Sequence, residues 1–248
     1  MSLHHVSFFS NILQKCVQMH IVMPDKGKAP YPVFYLLHGL SDDYTIWQRR
    51  TSIERYVENL PLIVVMPDGF RGFYTNAHEG PAYGHYMTDD VIGYVDRVFP
   101  TIRKRSGRCI GGLSMGGYGA LRLALAHPEM FVSANSHSGA CQAGHRMAEL
   151  LKQPEFQRVF GRRPRGSDHD LFALAVKLKR RRAPIPKLRV DCGKEDFLLH
   201  DNRVFHAYLV RLGIRHEYAE YPGGHEWGYW DQHIREALTF HRRALGIS

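Results

Sequence analysis

The chain has 248 residues, a formal net charge of +9, 44% hydrophobic residues and 23% charged residues. These values are ordinary for a globular protein, so they exclude a disordered tail, a collagen and a coiled coil. No apolar run approaches the ~18 residues that a membrane-spanning helix needs, so we expect no membrane partner. Four single cysteines without a C-x-x-C pair exclude a disulfide scaffold and argue against a zinc knuckle.

The N-terminus lacks the basic region, the long apolar core and the small-residue cleavage site of a signal peptide. We therefore expect a cytoplasmic protein, with a secreted form already stripped of its signal as the open alternative.

Two basic clusters lie in the second half of the chain. One holds Arg158, Arg162, Arg163 and Arg165, and the other holds Lys177, Lys179, Arg180, Arg181 and Arg182. Neither is interleaved with aromatic residues or set on a nucleic-acid-binding module. We expect a solvated surface and no nucleic-acid partner, with attraction of anionic substrates as the alternative.

Short apolar and β-branched runs alternate with segments of helical period along the chain. The predicted strands are residues 15–23, 31–37, 62–66, 108–111, 131–135, 188–192 and 215–221. The predicted helices are residues 51–60, 89–99, 115–127, 201–212 and 231–244. This alternation predicts βαβ units and a mostly parallel sheet covered on both faces. The strand at 15–23 alternates more and is predicted as an antiparallel edge strand.

One connection is longer than a crossover needs. About 45 residues separate two predicted strands, where short loops and one helix are usual. We predict a helical insertion near residues 141–186, inside one domain that spans residues 1–248. An ordinary decorated crossover and a lid or pocket wall remain equal alternatives.

The pentapeptide Gly112-Leu113-Ser114-Met115-Gly116 fits the pattern G-x-S-x-G. A predicted strand leads into it and a predicted helix leads out, which is the setting of a nucleophile elbow. Side chains two residues before and after the serine would collide at such a turn, which gives both glycines a steric reason. We predict Ser114 as the nucleophile, with a glycine-rich turn and an incidental serine as the alternative.

A serine hydroxyl needs a base, and the base needs an orienting acid. At an elbow of this kind the chain order is serine, then Asp or Glu, then histidine. His225, in a glycine-rich loop after the last predicted strand, is the predicted base, and His137 is the second choice. Asp196, just past the strand at 188–192, is the predicted acid, and Asp201 is its main rival.

The negative oxygen of a tetrahedral intermediate needs hydrogen-bond donors. One is expected to be the backbone N–H of Met115, the residue after the nucleophile. The other is expected at Leu40, because Leu37-His38-Gly39-Leu40 ends the strand at 31–37. A metal site at His38 is disfavoured because the sequence has no H-E-x-x-H motif.

Several segments together resemble a known family. They are LLHGLSDDYTIW (36–47), MPDGFRGFYTN (66–76), GGLSMGGYGAL (111–121), and DCGKEDFLLHDNRVFH with YPGGHEWGYW. The sequence resembles the esterase D and tributyrin-esterase branch of the α/β-hydrolase fold, a group with S-formylglutathione hydrolases, feruloyl and acetyl-xylan esterases and mycolyltransferases. The resemblance runs from about residue 31 to 230 and implies the same roles for Ser114, Asp196, His225, Leu40 and Met115. It also implies that no metal or organic cofactor is needed.

We therefore expect a serine carboxylesterase that hydrolyses small-molecule esters of short acyl chains through an acyl-enzyme, with homo-oligomerisation left open. One alternative is an acyltransferase or an S-formylglutathione hydrolase-like thioesterase with the same triad. A remote alternative is a non-catalytic protein that uses the basic insertion to hold an anionic polymer. Trp47, Tyr74, Asn76 and Trp227 are candidate substrate-binding residues, with core packing as the alternative for each.

Overall fold

A computed structural model describes residues 1–146, 148–181 and 183–247. Eight strands form one sheet in that part of the chain. In chain order they are β1 Ser2–Ser10, β2 Lys15–Met23, β3 Val33–Leu37, β4 Ile63–Pro67, β5 Arg108–Leu113, β6 Ser133–His137, β7 Lys187–Gly193 and β8 His216–Tyr221.

The helices fill the connections between these strands. In chain order they are α1 Ile46–Arg50, α2 Ile53–Val57, α3 Tyr83–His85, α4 Ile92–Val98, α5 Met115–Ala126, α6 Ala148–Leu151, α7 Pro154–Phe160, α8 Leu171–Arg180, α9 Leu199–Arg211 and α10 Trp227–Leu245. A π-helical stretch, Tyr86–Val91, joins α3 to α4. Among the described residues no helix combines the length and the hydropathy needed to cross a bilayer.

The strand order is β1-β2-β4-β3-β5-β6-β7-β8, and β3 to β8 all run parallel. The mostly parallel sheet predicted from the sequence is therefore confirmed. β2 is antiparallel, as predicted, but it is not the edge strand. β1 pairs with it from Ser2↔Met23 to Ser10↔Lys15 and forms the edge instead. Much of β1 is exposed, so its sequence carries no clear apolar pattern that would predict a strand.

The parallel strands are apolar because both of their faces are covered. In β3, Phe34 and Leu36 face a core shared with α1, α2 and α10, whereas Val33, Tyr35 and Leu37 face a core shared with α4, α5, α8 and α9. This double covering explains the continuous apolar runs that predicted the strands.

The connection between β6 and β7 contains α6, α7 and α8, which confirms the predicted helical insertion. It is fixed to the outer side of α5, where the Tyr118 hydroxyl donates to the His169 carbonyl at 2.6 Å and Arg122 Nε donates to the Asp168 carbonyl at 3.1 Å. α5 is buried along almost its whole length because the sheet lies on one side and the insertion on the other. Arg182, in the second basic cluster, lies outside the described residues.

The packing of α5 against β3 yields a stability prediction. A Cβ at Gly116 would lie 2.5 Å from the Leu37 carbonyl oxygen and 2.6 Å from that of His38, and neither backbone group can move away cheaply. We expect Gly116→Ala to lower the free energy of unfolding by about 1–3 kcal/mol in urea denaturation.

The matched control is Gly93→Ala in α4, where an added Cβ meets nothing within 4 Å. There alanine should raise the free energy of unfolding by about 0.5–1 kcal/mol, because it restricts the unfolded chain. A Gly116→Ala variant as stable as the wild-type protein would contradict the close approach of α5 and β3.

Candidate active site

Ser114 lies at the turn between β5 and α5 with φ 53° and ψ −116°. A non-glycine residue with positive φ is strained, at a cost of about 1–3 kcal/mol. Hydrogen bonds hold the turn: the Ser114 N–H donates to the His137 carbonyl at 2.9 Å, and the Ser114 carbonyl accepts from the Ala140 N–H at 3.1 Å. The strained turn sets the serine at the wall of an open cavity.

His225 and Asp196 meet Ser114 at this turn. His225 Nε2 lies 3.0 Å from Ser114 Oγ, and His225 Nδ1 lies 2.9 Å from Asp196 Oδ2 and 3.1 Å from Asp196 Oδ1. The imidazole thus bridges the hydroxyl and the carboxylate. The structure brings together the three side chains that the sequence predicted, in the chain order that an elbow requires.

The loops that carry the acid and the histidine are tied to each other. The Glu195 N–H donates to the Gly223 carbonyl at 3.1 Å, and the Gly223 N–H donates to Glu195 Oε2 at 2.5 Å. A Cβ at Gly193 would lie only 2.0 Å from the Gly223 carbonyl oxygen, so this approach requires glycine at position 193. The loop after β7 therefore fixes the loop after β8.

The Asp196 carboxylate is held in its charged form. Burial raises its pKa, but hydrogen bonds from His225, the Leu198 N–H and the Ser138 hydroxyl outweigh that effect, so its pKa lies below the ordinary value. Ser138 is buried, has a positive φ of 48°, and accepts a hydrogen bond from Trp230 Nε1 at 3.2 Å. Ser138 thus supports the Asp196 carboxylate, a contact that the sequence did not predict.

The rival candidates occupy other positions. His137 is fully buried at the end of β6, and its Nδ1 lies 2.8 Å from Asp191 Oδ1, so it belongs to a buried polar pair beneath the site. Asp201 is in the first turn of α9, where the Gln142 side chain donates to it at 2.8 Å. Burial raises the pKa of Asp201, which fits a role other than orienting a base.

The loop after β3 is organised by the buried ring of His38. Its Nδ1–H donates to the Gly39 carbonyl at 2.7 Å, and its Nε2 accepts from the Gly69 N–H at 2.9 Å. The neutral tautomer with a proton on Nδ1 is the only one that satisfies both partners. The Gly39 carbonyl and the Leu40 N–H are the two ends of one planar peptide, so fixing the carbonyl also fixes the direction of that N–H.

Leu40 and Ser114 line the same cavity, and a Cβ at Gly39 would lie 3.8 Å from Ser114 Cβ. The Met115 N–H starts α5, where helix N–H groups have no partner within the helix. Within the described part of the chain, neither the Leu40 N–H nor the Met115 N–H donates to a protein acceptor. Both are therefore available to a ligand oxygen.

The cavity at Ser114 has a volume of about 640 Å³. Its walls include Trp227 and the strongly exposed Phe197, whose ring centroid is 4.5 Å from that of His225. Sequence reasoning missed Phe197, although it directly follows the predicted acid. Of the described residues between 141 and 186, none lines this cavity, so the insertion supports α5 and does not cover the serine.

Of the four predicted substrate-binding residues, only Trp227 lines the cavity. Trp47 is buried, its Nε1–H donates to the Leu37 carbonyl at 3.0 Å, and its ring packs edge-on against Trp227. Trp47 thus supports a cavity wall from behind.

Tyr74 and Asn76 also lie away from the cavity. The fully buried Tyr74 hydroxyl accepts from the His38 N–H at 3.1 Å and donates to the His38 carbonyl at 3.2 Å, so it braces the loop after β3. Asn76 Oδ1 accepts from the His85 N–H at 2.8 Å. The sequence predicted substrate contact for both residues, but their hydrogen bonds give them structural roles.

The arrangement has the parts of a nucleophilic acyl-transfer site: a hydroxyl beside an imidazole, a carboxylate behind it, and two free N–H groups nearby. Among the described residues no group of three or more His, Cys, Asp or Glu side chains is arranged to hold a metal ion.

Comparison with known proteins gives a consistent result. The model of the family described as "Putative esterase" matches residues 10–241. The acetyl esterase of Caldicellulosiruptor saccharolyticus is 33% identical, over 97% of this chain and 98% of that protein. The substrate-bound structure of fluorophosphonate-binding serine hydrolase F from Staphylococcus aureus superposes with a TM-score of 0.88 at 33% identity, over 96% of this chain and 97% of its own.

The S-formylglutathione hydrolase of Staphylococcus aureus, solved as the apoenzyme, has a TM-score of 0.86 at 32% identity, over 97% of this chain and 99% of its own. The family match covers most of the chain, and the relatives that match at this level are ester and serine hydrolases. This chain therefore belongs to the Putative esterase family of α/β-hydrolases and is a carboxylic ester hydrolase, the enzyme class that its sequence predicted.

Proposed function

We propose that this serine esterase works through a triad of Ser114, His225 and Asp196 and an acyl-enzyme on Ser114. The observation that carries the proposal is the continuous contact from Ser114 Oγ through the imidazole to the Asp196 carboxylate, at 3.0 Å and 2.9 Å. Hydrogen-bond reach between nucleophile, base and orienting acid is the geometry that such catalysis needs.

In the first half of the reaction, His225 Nε2 takes the proton of Ser114 as Oγ attacks the ester carbonyl. The charged imidazolium is stabilised by Asp196, which stays ionised because its pKa is held low. His225 then donates the proton to the leaving alcohol, and Ser114 keeps the acyl group. A water molecule repeats the same steps and releases the acid.

We assign the oxyanion hole to the N–H groups of Leu40 and Met115. His38 acts on the first of them as a positioning residue, because its hydrogen bond to the Gly39 carbonyl fixes the peptide that carries the Leu40 N–H. Drawing electrons toward that carbonyl also makes the N–H a stronger donor. A donor fixed before reaction needs no reorganisation when charge develops on the oxygen.

For the substrate we propose short-chain acyl esters, in line with the esterase D and tributyrin-esterase resemblance and with the name of the acetyl esterase relative. The test is a panel of p-nitrophenyl esters from acetate upward, beside methyl ferulate and acetylated xylan. We expect kcat/KM to be highest for acetate to butyrate and to fall sharply beyond them. A maximum at a long acyl chain would contradict this proposal.

A second candidate is thioester hydrolysis, favoured by the likeness to the S-formylglutathione hydrolase structure. The same triad would attack the thioester. Adding S-formylglutathione to the ester panel distinguishes thioester hydrolysis from ester hydrolysis. A kcat/KM for that thioester well above that for acetate esters would make it the main activity. Transfer of the acyl group to an added alcohol, measured beside hydrolysis, tests the acyltransferase alternative.

Three further predictions go with this function. We propose that residues 1–248 act as one domain around the eight-stranded sheet.

The cysteines in the described part of the chain are unpaired, which supports a reducing compartment such as the cytoplasm. Homo-oligomerisation stays open, and sedimentation of the purified protein tests it.

Replacing Ser114 tests the nucleophile directly. We expect Ser114→Ala to lower kcat by about 10⁶-fold, because a triad acts as a unit, and to abolish labelling by a fluorophosphonate. The melting temperature should not fall, because among the described residues the hydroxyl forms a hydrogen bond only with His225. A variant that keeps a tenth of the wild-type kcat would contradict the assignment.

Replacing Asp196 tests the acid and its charge. Asp196→Asn should lower kcat by about 10⁴-fold, because an amide no longer fixes the tautomer of His225. A carboxylate with a lowered pKa stabilises the fold at pH values above its ordinary pKa, and this stabilisation is lost as the pH falls through the folded-state value.

The free energy of unfolding of the wild-type protein, minus that of the Asn variant, should therefore shrink as the pH falls below about 3.9. Urea titrations on either side of that pH measure it. A difference that does not shrink there would mean that the carboxylate is not held in its charged form.

Two variants of His38 separate positioning from packing. Asn places an N–H donor near the position of Nδ1, whereas Gln reaches toward Nε2 and loses that donor. We expect His38→Gln to lower kcat by about tenfold or more, toward the ~10²–10³-fold cost of a lost oxyanion donor, with little change in KM. His38→Asn should retain more of the activity. Equal kcat values for the two variants at equal thermal stability would contradict this role.

A further inference from the structure

A second cavity, of about 610 Å³, lies beside the insertion and does not include Ser114. One wall is the outer face of α9, where the lining residues 204, 207, 208 and 211 follow helical spacing. The loop before α6, the loop before α8 and the first turn of α8 complete it. Its charged and aromatic lining consists of Arg146, Arg165, Arg211, His145, Phe172 and Tyr208.

The described lining of the cavity is positively charged without compensation. Three guanidinium groups line it, and no Asp or Glu among the described residues does. In the described part of the chain none of the three forms a salt bridge.

The carboxylate behind the cavity is Asp170, which is 2% exposed and already used. It accepts from the N–H groups of Gly166 and Phe172 at 2.8 Å and 2.9 Å and lies 2.9 Å from His145 Nδ1. It is therefore not a counter-ion for the three arginines.

Three cations in α8 and directly after it have structural partners instead. Lys177 pairs with Asp168 at 2.6 Å, Lys179 donates to the Gly213 carbonyl at 3.2 Å, and Arg181 donates to the Ala126 carbonyl at 3.1 Å. The arginines of the cavity do not tie the insertion to the fold in this way. Their placement calls for a different explanation.

The cavity wall is organised by ring contacts. The Arg211 guanidinium lies 4.7 Å from the centroid of the Tyr208 ring, and His145 stacks on Phe172 at 4.3 Å and 25°. A cation held over an aromatic ring loses less freedom when it binds a ligand.

We propose that this cavity binds a small organic anion that carries two or more phosphate or carboxylate groups. Guanidinium forks match both groups, and three of them on separate segments favour a ligand with several charges. The volume is in the range of small-molecule sites. The proposal does not rest on the esterase function, because no residue of the triad or the oxyanion hole takes part.

The test is isothermal titration calorimetry of the full chain at about 0.15 M salt, with pyrophosphate as the phosphate probe and tricarballylate as the carboxylate probe. We expect at least one of them to bind one-to-one with Kd below about 1 mM. The variant R146S/R165S/R211S should bind that probe at least about tenfold more weakly. The stronger probe identifies which chemistry the site takes.

The matched control is R163S/R180S/R215S, which removes the same charge at exposed arginines that lie outside this cavity. It should keep the wild-type Kd within about twofold. An equal loss in the control would overturn the proposal, because the affinity would then come from the net charge alone. Failure of both probes to bind would overturn it as well.

A polyanion that binds more tightly as its chain lengthens, independently of these three arginines, would replace the small-ligand site with a polymer-binding surface. Hydrolysis of p-nitrophenyl acetate by both triple variants should stay within about twofold of wild type. This readout distinguishes failure of the anion site from failure of the proposed esterase mechanism.

Discussion

At the turn between β5 and α5, the backbone of Ser114 has a positive φ. It keeps this conformation because α5 packs very close to the end of β3, and only a glycine at position 116 leaves room for that approach. The carbonyl oxygens of Leu37 and His38 would lie only 2.5 Å and 2.6 Å from a Cβ at Gly116. This contact sets the serine on the same side as the loop after β3, so Ser114 and Leu40 line one cavity. The energy stored in the turn is offset by the packing of a buried α5.

The parts of the site that sequence reasoning predicted are those that the order of strands dictates. In a parallel sheet the loops after neighbouring strands meet at one edge, so a serine after β5, an aspartate after β7 and a histidine after β8 converge there. The glycines at the elbow and at Gly223 and Gly224, together with the predicted strands around them, identified two of these loops. The structure adds the distances, and it places His137 fully buried in β6.

Other features depend on contacts between residues distant in sequence, so local patterns could not predict them. Tyr74 was predicted as a substrate-binding residue, yet its hydroxyl forms hydrogen bonds with both the N–H and the carbonyl of His38. His38 was considered only as a metal ligand, since its bond to the Gly39 carbonyl needs the loop conformation to be known. β1 is exposed along much of its length, so register with β2 rather than an apolar pattern places it in the sheet.

The long insertion shows how one basic segment divides between two uses. Several of its hydrogen bonds are made with α5. Tyr118 and Arg122 donate to the carbonyls of His169 and Asp168, and Arg181 donates to the Ala126 carbonyl at the C-terminal end of the helix. The insertion therefore helps to bury α5, although none of its described residues lines the cavity at Ser114. Basic side chains that donate to carbonyl oxygens have their partners within the protein. Guanidinium groups that line an aromatic wall together, with no described carboxylate among them, repel one another. That repulsion is relieved only by solvent or by an anion. The sequence, in which the arginines can be counted but not placed, predicted a solvated surface, with attraction of anionic substrates as the alternative.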